Sequence, residues 1–319
     1  MTSAELKSEH DRVKVTSPTF DAFLQPAHEP KNRFHNIPLY DHSRVHLDDV
    51  FTSEFNKSTK RQYGDYIHAS WVDGYEQERE YVLSQAPFNQ ETEADFWRLV
   101  ACTGPAVIVL LAPIAGEPQR VRTRNETADL PATSTTQFWA EQVGSNKEYL
   151  DGRINVQTNG MVTSGESSVY EMELTTSGKT KPLSFRLLHL KGWGANDEDI
   201  PPFLPQLEAK VRAAKQFAVS DDPSRRDAPL LLVCATGVHR AGTYVALDGI
   251  MRRMQDRRQV ALRGTVTQLR RDRYGCVQIQ SHYLYLTETI VNLAVEGSYI
   301  QHEDVGVDLL QFNLRKTEA

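Results

Sequence analysis

The chain has 319 residues, a formal net charge of −6 and 39% hydrophobic residues. That length admits one large domain or two ordinary ones, and the acidic balance argues against a nucleic-acid partner. No run of about 18 apolar residues exists, so no membrane span is expected, and Met1 to Arg12 lacks the apolar core of a secretory signal.

In chain order, residues 1–30 are polar with scattered prolines and read as an N-terminal arm or helix. Lys31 to Asp73 holds turns and short strands. Tyr81 to Ser84 is a short strand stopped by Pro87, and Asn89 is placed to cap a helix over Thr92 to Cys102. Phe96, Leu99 and Val100 share one face of that helix. Ala106 to Leu111 is apolar, β-branched and short, which fits a buried strand. Ile114 to Thr136 is polar and reads as a loop or weak hairpin.

Gly152 to Val162 and Ser168 to Thr176 alternate as strands, Pro182 to Leu190 is another strand, and Leu204 to Val219 is helical. Asp221 to Asp227 is a charged loop before the apolar strand Leu230 to Val233. Ala241 to Met254 is a helix with an apolar face from Tyr244 to Met254. A last helix over Ser281 to Val295 carries Tyr283, Leu284, Leu286, Ile290 and Leu293. Strands alternating with helices give an α/β (α+β) domain. No linker splits the chain, so one domain over 31–300 with a tail at 301–319 is expected.

Cys102, Cys234 and Cys276 are odd in number and far apart. This excludes a disulfide scaffold and suits the reducing cytoplasm. They lack metal-ligand spacing, so neither a metal nor a cofactor is expected.

The segment Leu230-Leu-Leu-Val-Cys234-Ala-Thr-Gly-Val-His-Arg240-Ala-Gly-Thr243 carries the chemistry. A buried strand ends in a cysteine, a short loop follows, and a helix begins. The unpaired N–H groups of a helix start, with the helix dipole, make a seat for an anion. The nucleophilic form of cysteine is the thiolate, which such a field favours. Arg240 has the planar fork that grips two phosphate oxygens together. A lone cysteine at a strand end is ordinarily a small buried hydrophobe. The strand, Gly237, Arg240 and the following helix together point to a phosphate cradle.

This segment resembles the signature loop of the protein tyrosine phosphatases. Other motifs match that family in order. Lys31-Asn-Arg-Phe34 with Tyr40-Asp-His-Ser-Arg44-Val resembles its phosphotyrosine-recognition loop. Asp65-Tyr-Ile-His-Ala-Ser70, Tyr81-Val-Leu-Ser-Gln-Ala-Pro87, Asp95-Phe-Trp97 and Gln137-Phe-Trp139 continue the match. Cys276-Val-Gln278 resembles its glutamine loop.

The resemblance implies a cysteine-phosphatase (PTP) fold, a highly twisted mixed central sheet flanked by helices, and a phosphotyrosine-containing protein as partner. It gives Cys234 the nucleophile's role, Arg240 that of oxyanion clamp and Gln278 that of water-positioning residue. Ala235, Thr236, Gly237, Val238 and His239 would line the phosphate, Phe34 would wall the substrate ring, and Asn36 would stand where an aspartate holds the peptide backbone. The general acid belongs to the stretch Trp193-Gly-Ala-Asn-Asp197-Glu-Asp-Ile-Pro201. Two extra residues separate its landmarks. Counting from Pro201 selects Asp197, with Glu198 and Asp199 as rivals.

The sequence also departs from the family pattern. Val233 replaces a histidine before the nucleophile, His239 a glycine before the arginine, Ala241 a hydroxyl residue after it and His282 a second glutamine. Two readings stay open: a slow phosphotyrosine phosphatase, or a pseudophosphatase that binds phosphotyrosine proteins without turnover. Arg120, Arg122 and Arg124, with Arg270, Arg271 and Arg273, read as solvated surface or, alternatively, as recognition patches.

Overall fold

A computed structural model describes residues 18–47, 64–115, 134–177, 179–193 and 200–298. Nine strands form one mixed sheet: β1 (Arg44–His46), β2 (Tyr66–Val72), β3 (Tyr81–Gln85), β4 (Val107–Leu110), β5 (Asn146–Tyr149), β6 (Ile154–Ser164), β7 (Ser167–Thr176), β8 (Leu183–Leu190) and β9 (Leu230–Cys234). Their order is β1-β2-β3-β9-β4-β8-β7-β6-β5. The four central strands, β3, β9, β4 and β8, run parallel, and antiparallel pairs complete both sides.

Among the described residues five α-helices flank the sheet: α1 (Gln90–Thr103), α2 (Leu204–Asp221), α3 (His239–Arg257), α4 (Leu262–Asp272) and α5 (Gln280–Glu296). The α/β (α+β) architecture expected from the pattern is the one observed.

The central strands are apolar on both faces because both are covered. Leu230, Leu232 and Cys234 enter one core with Val107, Val109 and the inner faces of α2, α3 and α5. Leu231 and Val233 enter the other with Ile108, Leu110 and the buried side of α1. An unbroken Leu-Leu-Leu-Val run is therefore what this position demands.

Asn89 caps α1 as the sequence predicts. Its side chain accepts from Thr92 N, and Thr92 returns a bond to the Asn89 amide. Three elements differ from expectation. Helix α4 went unread because only Val266 and Leu269 are buried on it, too narrow a stripe to show as helical periodicity. Strand β5 is a polar edge, Asn-Lys-Glu-Tyr, with only Tyr149 buried. Of the apolar residues expected on α5, Tyr283 and Leu284 are exposed, and Leu286 and Ile290 carry the packing. The acid-loop residues 194–199, Arg120, Arg122, Arg124 and the tail lie outside the described residues.

Candidate active site

Cys234 ends β9 at the carboxyl edge of the parallel strands, where open α/β sheets bind their ligands. It is buried, and it stands opposite Gln85 in the β3–β9 register. Its carbonyl accepts from Ala86 N at 2.9 Å and Gly237 N at 3.0 Å, which begins the turn. Gly237 has φ +67°, the left-handed region that favours glycine. A Cβ there would stand 2.5 Å from Gln85 N, so the loop also presses directly on the end of β3. These constraints carry the chain from Cys234 through Ala235, Thr236, Gly237 and Val238 to His239, the first residue of α3.

Thr236 Oγ1 lies 3.7 Å from Cys234 Sγ and accepts from Val238 N at 3.3 Å and His239 N at 3.2 Å. The sequence reading had no basis for this contact. A side-chain hydroxyl satisfies donors of the kind that a phosphate oxygen would take.

Arg240 is buried, and Nη1 donates to the carbonyls of Leu111 and Trp193, each at 3.2 Å. Its guanidinium lies 5.2 Å from the Trp193 ring centroid. The clamp is thereby tied to the residue that opens the acid stretch. His282, the departure from glutamine, is wholly buried. Its Nδ1 pairs with Thr243 Oγ1 at 2.6 Å, and its ring sits 5.9 Å from that of Trp193.

The recognition segment is fixed from below. Gln85 accepts from Arg33 N at 2.9 Å and donates to Lys31 O at 3.1 Å. Lys31 Nζ donates to Asp95 on α1 at 2.6 Å, and Arg33 Nη1 donates to Ser134 O. Phe34, partly buried, is held beside Arg33 at 5.4 Å, and burial lowers the Arg33 guanidinium to about 10. Asn36 is exposed.

Gln278 is exposed at the foot of α5 and follows Val277, a buried β-branched residue at φ 53°. Such a conformation costs about 1–3 kcal/mol and persists only where its surroundings impose it. Arg270 supplies part of that restraint, donating to the carbonyls of Cys276 and Val277 at 3.0 and 2.8 Å.

Arg273 is not surface. Fully buried beneath the loop, it donates to Gly237 O at 3.3 Å and Ser70 Oγ at 3.1 Å, and lies 2.8 Å from His68 Nδ1. Burial lowers it to about 10, and burial together with Arg273 drives His68 down to about 3, so the imidazole is a neutral acceptor. The patch reading thus fails for Arg273, and Arg270 is spent on the glutamine loop. Gln85, Arg270, Arg273 and Thr236 are what the motif reading underused.

The protein-tyrosine phosphatase family model matches residues 28–292. The chain belongs to that family. The phosphatase-family domain is 29% identical to receptor-type tyrosine-protein phosphatase zeta of Rattus norvegicus over 86% of this chain and 11% of the relative. It is 27% identical to receptor-type tyrosine-protein phosphatase F of Bos taurus over 90% of this chain and 13% of the relative. For receptor-type tyrosine-protein phosphatase C of Homo sapiens the figures are 26%, 84% and 18%. The chain therefore spans less than a fifth of the length of these relatives. Among the described residues no helix is long and apolar enough to cross a membrane, and no His, Cys, Asp and Glu group is placed to hold a metal ion.

Proposed function

We propose that this domain hydrolyses phosphotyrosine on proteins through a phosphocysteine at Cys234. The observation that supports it is the order of three parts along one stretch of chain: a buried Cys234 thiol at the end of β9, a loop pinned at Gly237, and a buried Arg240 guanidinium at the start of α3. The thiolate attacks phosphorus as the P–O bond to the ring breaks, and Arg240 stabilises the equatorial oxygens. Asp197 is assigned the proton for the leaving oxygen, with Glu198 and Asp199 as rivals. Gln278 orients the water that then breaks the S–P bond. Phe34 selects an aryl ester by walling the ring. Cys234 and Cys276 are free thiols, which fits work in the cytoplasm.

The supporting residues set the expected pace as slow. Val233 is a core residue that offers the thiolate no imidazole, and Ala241 brings no hydroxyl to the first turn of α3. The second reading, capture of phosphotyrosine without turnover, draws on these two residues and on Thr236 occupying loop amides.

One assay separates the readings. Aryl phosphate turnover by the wild-type chain should exceed that of Cys234→Ser by orders of magnitude, and Asp197→Ala should lose about 10²–10⁴ in rate. Equal rates for wild type and Cys234→Ser, with phosphotyrosine-peptide binding that Arg240→Met abolishes, would establish capture instead.

A further inference from the structure

A cavity of about 540 Å³ opens between β1, the end of α1 and the end of α4. No signature-loop residue lines it, and its size lies within the range of small-molecule sites, about 300–1,000 Å³. One wall is aromatic. Trp71 is partly exposed, whereas the other three tryptophans are buried, and the Arg79 guanidinium lies 5.5 Å from the Trp71 ring centroid.

The wall also carries three cationic side chains, Arg44, Arg79 and Lys179, beside Asp73 and Asp272. Arg44 donates Nη2 to Asp65 at 2.9 Å, but its Nη1 is buried with no hydrogen-bond partner among the described residues. A buried donor of that kind is one that an ordered water or a bound acceptor can satisfy. Lys179, exposed, gives Ala101 O one N–H at 2.6 Å and retains two more for a ligand. The two carboxylates in the wall are already engaged: Asp73 accepts from Arg79 N, and Asp272 from Asp73 N.

We propose that this cavity is a second binding site, for a small aromatic anion. The ring lies against Trp71 and the acidic group takes Arg44 Nη1 and Lys179. A guanidinium fork next to a ring wall is the combination that recognises an aryl phosphate, phosphonate or sulfonate.

Cys102 also lines the cavity and is partly exposed, whereas Cys234 and Cys276 are buried. Alkylation of Cys102, mapped by peptide mass spectrometry on the whole chain, therefore reports occupancy. Phenylphosphonate should protect Cys102 saturably and change Trp71 fluorescence. Half-protection should shift about tenfold higher in Lys179→Met and in Arg44→Met, while Arg240→Met leaves it unchanged. Methylphosphonate, the same anion without the ring, should protect at least about fivefold more weakly. Lys179 is at the surface, so its variant tests the site even if Arg44→Met misfolds. No protection at about 10 mM phenylphosphonate, equal protection by methylphosphonate, or protection lost in Arg240→Met would each overturn the proposal.

Discussion

Gln85 stands opposite Cys234 in the β3–β9 ladder, and its side chain holds the backbone of the Lys31–Phe34 segment. One residue thus joins the strand that ends in Cys234, the proposed nucleophile, to the segment that carries Phe34, the proposed wall for the substrate ring. It touches no reacting atom, so its bonds contribute equally to ground state and transition state. Gln85→Ala should raise KM for a phosphotyrosine peptide about tenfold, from two lost hydrogen bonds of about 1 kcal/mol each against some relaxation, and leave kcat nearly unchanged. Steady-state kinetics checks this. An equal fall in kcat and kcat/KM would place Gln85 in the chemistry instead.

Much of the fold, and the strand–loop–helix frame of the candidate site, was written in the sequence. The apolar run Leu230 to Val233 read as a buried strand ending at Cys234, and Cys234 to Arg240 as a loop entering a helix, as the fold has them. What could not be read has a physical reason in each case. Arg273 looks like one member of a basic surface cluster, because a one-dimensional pattern does not reveal that its guanidinium passes beneath Gly237 to reach Ser70, about 200 residues earlier in the chain. Helix α4 buries two residues and so leaves little periodic trace. The Thr236 hydroxyl turns inward on its own loop, a choice of rotamer rather than of residue type.

Arg273 makes its own prediction. Its hydrogen bonds link the signature loop to β2, and hydrogen bonds from charged groups contribute about 1.5–3 kcal/mol each. Arg273→Met should lower unfolding stability by about 3 kcal/mol or more and reduce phosphate-analogue binding, because Gly237 O loses its donor. The exposed neighbour Arg271 should tolerate Arg271→Met within about 0.5 kcal/mol. Urea unfolding of the two variants decides the point; equal stabilities would return Arg273 to the surface role first considered for it.

Thr236 sets affinity against stability. Its hydroxyl satisfies the amides of Val238 and His239, the N-cap and first residue of α3, a contact comparable to a helix cap at about 0.5–2 kcal/mol. Thr236→Ala should lower Tm. It should also free those amides and tighten vanadate binding about fivefold, measured by competition in the aryl phosphate assay. Weaker vanadate binding by Thr236→Ala would mean that the hydroxyl contacts the anion rather than competing with it.

The last prediction concerns pH and the packing of α2 on α3. Arg212 of α2 forms a bidentate pair with Asp248 of α3 and also bonds Glu208 at 2.9 Å and Glu80 at 3.4 Å. Arg252 holds Glu80 from the other side, and Tyr81 donates to Asp248. Tyr244, buried, shares the cluster. Three carboxylates thus face two guanidiniums. Burial first, and Asp248 second, push the Glu208 carboxyl up to about 7. An unfolded glutamate releases its proton near pH 4.5, so between there and about pH 7 the folded state binds more protons. This group's contribution to stability therefore declines as pH rises through that window. The buried imidazoles of His68 and His189, lowered to about 3 and 4, act in the opposite sense below pH 6.5. The comparison must accordingly be with a single variant. Glu208→Gln keeps the shape without the titration, so the difference in unfolding free energy between it and wild type should drift in the variant's favour from pH 5 to pH 7 and level off above. A difference that stays constant across that range would show that Glu208 is ionised throughout, with Arg212 compensating it fully.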